Sequence, residues 1–185
     1  TAGCASTMTK PSNSTAPCAE AARAELRRLA AEMVPESLLA VVPDAEALFA
    51  DYLKAHPRCR LAQVSGPALA QGTARITPCR LAVVADTVEH MGKGQAQILI
   101  AHLRDLYCAT LYALVRVGAD WPGLESHWNA TELVALGLRP VKRYPCAGGQ
   151  SLDLYRFDLH DYKHTPEWLN PRHWANPERW DKARW

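Results

Sequence analysis

The stretch LAVVADTVEHM, residues 81–91, runs apolar for five residues, then turns to Asp86, Glu89 and His90, with Gly92 and Gly94 just beyond. A short run that is apolar on both faces suits a strand buried in a parallel sheet with helices on either side. Its polar end then falls at the carboxyl edge of the sheet, where ligands bind in open α/β folds. Residues 94–107, GQAQILIAHLRDLY, continue with Ile98, Leu99, Leu103 and Leu106 at helical spacing, which predicts an inward helix face. A further apolar run, ATLYALVRV at 109–117, ends at Gly118 and completes a strand–helix–strand unit.

The same alternation extends in both directions. Upstream, SLLAVVPD (37–44) predicts a strand, AEALFADYLKA (45–55) a helix, and CRLAQVSG (59–66) a second strand. Before them, residues 19–33 predict an amphipathic helix with Ala22, Leu26, Leu29 and Met33 on one face and Glu20, Arg23, Arg27 and Arg28 elsewhere. The Gly-, Pro- and Thr-rich residues 66–79 allow a short helix around Ala68–Ala70 and a short extended piece around Ala74–Thr77.

Downstream, Asn129, Glu132 and Gly137 in NATELVALGL spell a capping box and a helix stop. LRPVKRY (138–144) and SLDLYRFDL (151–159) flank the turn PCAGGQ as an antiparallel pair would. The fold class read from this order is α/β: a doubly wound, mostly parallel sheet of about six strands, closed by an antiparallel hairpin.

The 185 residues suffice for one domain, and a formal charge of +2 gives no electrostatic case for nucleic acid or an anionic membrane as partner. No window approaches the roughly 18 apolar residues of a membrane span. Six cysteines without a CxxC pair read as reduced thiols of a cytoplasmic protein. The expected organisation is an unpatterned arm at 1–18, with Met8 as a candidate natural start, an α/β domain at 19–159, and a Trp-rich extension at 160–185.

Two segments carry a family resemblance. VVADTVEHMGKGQAQILIAHLRDL looks like the strand, acidic D-x-x-E-H loop and L-R-x-L helix of class I S-adenosylmethionine-dependent methyltransferases. ESHWNATELVALGLRPVKRYPCAGGQSLDLYRFDL is similar to their closing W-x-x-x-E-L helix, Gly-Leu turn and final hairpin. The resemblance covers about residues 36–159 and implies a doubly wound sheet whose last strand is antiparallel.

The resemblance fails in the cofactor half. Such enzymes hold the cofactor over a glycine-rich turn after the first strand, and here that turn reads VVPDAEALF, with Pro43, Asp44, Ala45 and Glu46 in place of glycines. The acidic residue that accepts both ribose hydroxyls in the family is replaced by Ser65 or Gln63. Only about fifteen residues join the second strand to the next strong one, where a full family member fits a helix, a strand and a helix.

The resemblance therefore implies a truncated methyltransferase-like protein that does not bind S-adenosylmethionine in the usual way and acts as a binding or scaffold module, with no cofactor expected. The alternative is an active methyltransferase with an atypical site. Asp44, Ser65 and Asp86 would then border the cofactor, and Glu89 or His90 would act on the substrate. A hydrolase is a remote third reading, because no G-x-S-x-G nucleophile motif is present.

Glu89 and His90 pair a carboxylate with an imidazole, as a general base with its orienting partner would, or else cap the next helix. His160 and His164 have a spacing that permits joint metal ligation, but Pro166 follows at once and no third ligand is near in sequence, so no metal site is expected. In the extension, Trp168, Trp174 and Trp180 recur every six residues and Trp185 ends the sequence given. These tryptophans either dock on their own domain or form an interface for self-association or a protein partner. Nearby acids almost cancel Arg172, Arg179, Lys182 and Arg184, which disfavours nucleic acid.

Overall fold

The computed structural model of the protein describes residues 16–118 and 121–162. It contains helices α1 (Ala16–Met33), α2 (Ala45–Leu48), α3 (Ala50–Ala55), α4 (Gly66–Ala70), α5 (Lys93–His102), α6 (Ala130–Ala135) and α7 (Leu159–Tyr162). Its strands are β1 (Ser37–Val41), β2 (Arg60–Gln63), β3 (Cys79–Ala85), β4 (Cys108–Val117), β5 (Arg139–Pro145) and β6 (Ser151–Asp158). They form one sheet in the order β2-β1-β3-β4-β6-β5. The first four strands of that order are parallel, and β6 runs antiparallel to both β4 and β5. Most of N-terminal arm 1–18 and of extension 160–185, including all four interface tryptophans and His164, lie outside the described residues.

β1, β3 and β4 are buried almost end to end because helices cover both faces. On one face α1, α2 and α3 bury Leu26, Leu48, Phe49 and Tyr52; on the other α4, α5 and α6 bury Leu69, Leu99 and Leu133. Leu26, 1 % exposed, contributes about 2 kcal/mol of transfer free energy. The capping box of α6 is present as its sequence predicts: Asn129 accepts from the Glu132 N–H, and Glu132 reaches back to the Asn129 N–H.

Residues 74–77 belong to no strand, and β2 is the edge of the sheet among the described residues. Three expectations need correction. Ile98 and Leu106 are exposed, while Ala96, Leu99, Ile100 and Leu103 form the buried stripe of α5. The helix closes in a π turn at Leu103–Tyr107, which rotates Leu106 away from the core. Helix α1 starts at Ala16, earlier than its apolar periodicity suggests, and so carries Cys18. Cys18 is joined to Cys146 by a disulfide with Cα atoms 5.9 Å apart, which corrects the reading of all thiols as reduced; Cys59, Cys79 and Cys108 are free. A separation of 128 residues leaves no spacing signal by which the sequence could announce that pair.

Candidate functional site

At the carboxyl ends of β1, β2 and β3 lies a cavity of about 270 Å³, lined in part by Pro43, Gln63, Ser65, Asp86, Thr87 and His90. That volume is just below the range of about 300–1,000 Å³ typical of small-molecule sites. The structure thus brings Ser65, Asp86 and His90 to one cavity, while Asp44 sits beside it as the residue preceding α2.

The polar groups around this cavity are largely occupied by one another. Arg23 of α1 donates to Asp86 at 2.8 Å and also pairs with Asp44, bridging the ends of β1 and β3. Arg116 of β4 pairs with the other Asp86 oxygen, and its ring-facing side lies 5.7 Å over Trp121. The Gln63 amide donates to the carbonyls of Val42 and Pro43, both at 3.0 Å. The Thr87 hydroxyl lies 2.8 Å from the Val41 carbonyl and 2.9 Å from that of Ala85. Side chains of the chain itself therefore fill the hydrogen-bonding positions of the turn after β1.

Asp86 adopts φ +50°, in the left-handed region that aspartate tolerates better than most residues. That turn aims its carboxylate between the two arginines. Close packing holds the turn from the other side: a Cβ on Gly66 would lie 2.6 Å from both Met91 Sδ and Thr87 Cγ2. A glycine there lets α4 approach the β3 loop.

Glu89 and His90 part company. His90 is exposed at the cavity, whereas Glu89 is 1 % exposed and turns into the core. One Glu89 oxygen accepts the Arg116 backbone N–H at 2.8 Å and lies 3.5 Å from the Arg116 guanidinium. The Glu89 carbonyl accepts the N–H groups of Glu125 and Ser126. Its second carboxylate oxygen has no hydrogen-bond partner among the described residues. Burial pushes the Glu89 carboxyl above its ordinary range, opposed by the Arg116 backbone hydrogen bond and the Arg116 charge. The short 3₁₀ turn Val88–His90 separates the two side chains, so they are not arranged as a carboxylate–imidazole base, and neither is the residue that precedes α5, which is Gly92.

Arg23 is the site residue that the helix pattern does not single out. The buried stripe of α1 is Ala22, Leu26 and Ala30, and Arg23 flanks it, half-buried where the helix meets the ends of β1 and β3. Its side chain is 17 % exposed.

The fold is that of class I methyltransferases. The chain resembles an O-methyltransferase family protein from Burkholderia thailandensis at TM-score 0.54 and 11 % identity, covering 78 % of this chain and 57 % of that one. It resembles the mitomycin 7-O-methyltransferase MmcR at TM-score 0.50 and 12 % identity, over 77 % and 55 % of the two chains. A small RNA methyltransferase matches at TM-score 0.53 and 9 % identity, over 84 % and 27 %. The chain therefore spans little more than half the length of the first two and about a quarter of the third. No curated protein matches it. A family model described as a family of unknown function, DUF6231, matches residues 20–185.

Proposed function

We propose, for a chain that belongs to the DUF6231 family of unknown function, a non-catalytic role as a binding or scaffold module built on a methyltransferase fold. The observation that carries this reading is the bridge from Arg23 to both Asp44 and Asp86. S-adenosylmethionine carries a sulfonium and an ammonium, and the carboxylates that could meet them at this edge, Asp44 and Asp86, are already paired with Arg23 and Arg116. Entry would have to break those pairs and also displace the Gln63 amide from the turn after β1. Neither step is offset by a glycine-rich backbone that the ligand could approach.

Titration of the full chain with S-adenosylmethionine and S-adenosylhomocysteine, read as melting temperature, tests this. A ligand that binds only the native state raises Tm. No shift up to millimolar ligand is expected; a rise at low micromolar ligand overturns the reading.

A second reading, an active methyltransferase with an unusual cofactor site, draws on Glu89. A buried carboxyl with a raised pKa and one unpartnered oxygen, beside a strained aspartate at a sheet edge, is a feature shared with catalytic sites.

The proposed interface is the tryptophan series Trp168, Trp174, Trp180 and Trp185, serving self-association or a protein partner. Sedimentation of the full chain against one ending at Asp161 reads self-association directly. No helix among the described residues is long and apolar enough to cross a membrane. The free Cys59, Cys79 and Cys108 suit the cytoplasm, and the Cys18–Cys146 disulfide suits an oxidising compartment.

A further inference from the structure

A cavity of about 460 Å³ lies at the amino ends of β3 and β4, at the opposite edge of the sheet from Asp86. Pro78, Leu106, Tyr107, Phe157 and Leu159 form much of its wall. The π turn that closes α5 puts Leu106 on that wall at 57 % exposure, the most exposed large apolar side chain among the described residues.

The polar groups of the same wall are engaged with their neighbours. Arg104 pairs with Asp105, donates to the Leu136 carbonyl at 2.6 Å and lies 5.8 Å over the Phe157 ring. The Cys79 thiol donates to Tyr107 O at 3.2 Å and the Cys108 thiol to Leu103 O at 3.1 Å. What this cavity leaves unmatched is apolar surface, so it calls for an apolar occupant rather than a charged one.

Chain continuity names that occupant. Helix α7 begins with Leu159 on the cavity wall and ends at Tyr162, so residues 163–185 continue from the rim of the cavity itself. Trp168 comes six residues after Tyr162, and six extended residues span at most about 20 Å, enough to turn back onto the wall that α7 forms. Loop-closure entropy grows with length, so it disfavours Trp174, Trp180 and Trp185 relative to Trp168. Pro166 fixes one φ angle within the connection, which reduces the freedom lost on docking. Leu169 is the one leucine of residues 163–185 and makes Trp168–Leu169 the most apolar pair of that stretch. An indole brings about 150–250 Å² of surface to be buried.

We infer that this cavity seats Trp168 and Leu169 of the chain's own extension, folded back across the amino ends of β3 and β4. The inference deepens the interface reading of the same segment: Trp168 is the anchor from which Trp174, Trp180 and Trp185 are presented.

Alkylation of the full chain by iodoacetamide, without reductant and at a dilution where sedimentation gives the monomer, tests the seat by peptide mass spectrometry. Cys79 lines the cavity, whereas Cys59 packs in the cluster on the other face of the sheet and serves as the control for folding. Labelling proceeds only from the open state, so Trp168→Ala should label Cys79 about five-fold faster or more, with the Cys59 rate unchanged. Leu106→Gln, on the domain side of the contact, should do the same, and the double variant should be no faster than either single one. Trp174→Ala should leave the Cys79 rate as it was. The inference is overturned if Trp168→Ala does not speed Cys79, if Trp174→Ala speeds it equally, or if the protection fades on dilution, which would make a second copy the occupant. Self-association is read separately by sedimentation, so a failed anchor and a failed interface give different results.

Discussion

Arg23 Nη1 donates to Asp86 Oδ2 at 2.8 Å across 63 residues of sequence, joining the first helix to the carboxyl end of the third strand. The same guanidinium pairs with Asp44, so one side chain occupies the edge where this fold ordinarily takes a ligand.

Arg23→Met should leave Asp44 without this partner and Asp86 with Arg116 alone. Asp44 is half exposed and Asp86 27 % exposed, so the loss lies between that of a surface pair and a buried one, about 1–2 kcal/mol. Urea unfolding measures it. A double-mutant cycle with Asp86→Asn assigns the coupling to this pair if the second substitution costs much less in the Arg23→Met background.

Opening the disulfide removes a cross-link between residues 128 apart, worth about 5 kcal/mol on loop-entropy grounds. A reducing agent should therefore lower Tm of the unmutated protein and leave Tm of Cys18→Ser/Cys146→Ser unchanged. A non-reducing digest should contain one cross-linked peptide holding both cysteines, and its absence would contradict the pairing.

Glu89 gives the pH dependence a definite sign. Its carboxyl titrates above the ordinary value of 4.5 in the folded chain because it is buried, so the folded state binds its proton more tightly than the unfolded state does. The stability from this group is fully present below about 4.5 and is lost as pH rises through the folded value. Glu89→Gln keeps an oxygen to accept the Arg116 N–H and cannot ionise. Relative to the unmutated protein it should gain stability as pH rises above about 4.5 and level off once pH passes the folded value, by urea midpoint at each pH. An offset that does not change with pH would mean that Glu89 titrates normally.

Gly66→Ala should destabilise by about 1–2 kcal/mol, since the new methyl meets Thr87 Cγ2, whose hydroxyl is anchored to two carbonyls. The Met91 sulfur can move aside more easily. A variant that also carries Thr87→Ser removes the clashing methyl and should recover much of the loss in the urea midpoint.

The fold was legible because its signals are local. Five-residue apolar runs, the Asn129–Glu132 capping box and the Gly137 stop each depend on near neighbours in sequence, and each is found in place. The cavity residues Ser65, Asp86 and His90 were legible for a related reason: strand ends in a doubly wound sheet converge on one edge. What closes that edge was not legible. Arg23 reaches Asp86 from 63 residues away and Cys18 reaches Cys146 from 128, and no local pattern encodes either distance. The burial of Glu89 was not legible, because three residues of 3₁₀ turn decide whether a carboxylate faces solvent or core, and the sequence does not fix that turn.

The place of α1 in the chain has a consequence for the order of folding. It leaves the ribosome before every strand of the sheet, yet its surface is completed by β3 through Asp86 and by the β5–β6 turn through Cys146. During synthesis this helix must wait, with Leu26 uncovered, until the last hairpin has emerged. A helix made before every strand is thus among the last elements to be docked, and a nascent chain lacking β5 and β6 leaves the edge at Asp86 without the disulfide that tethers its arginine lid.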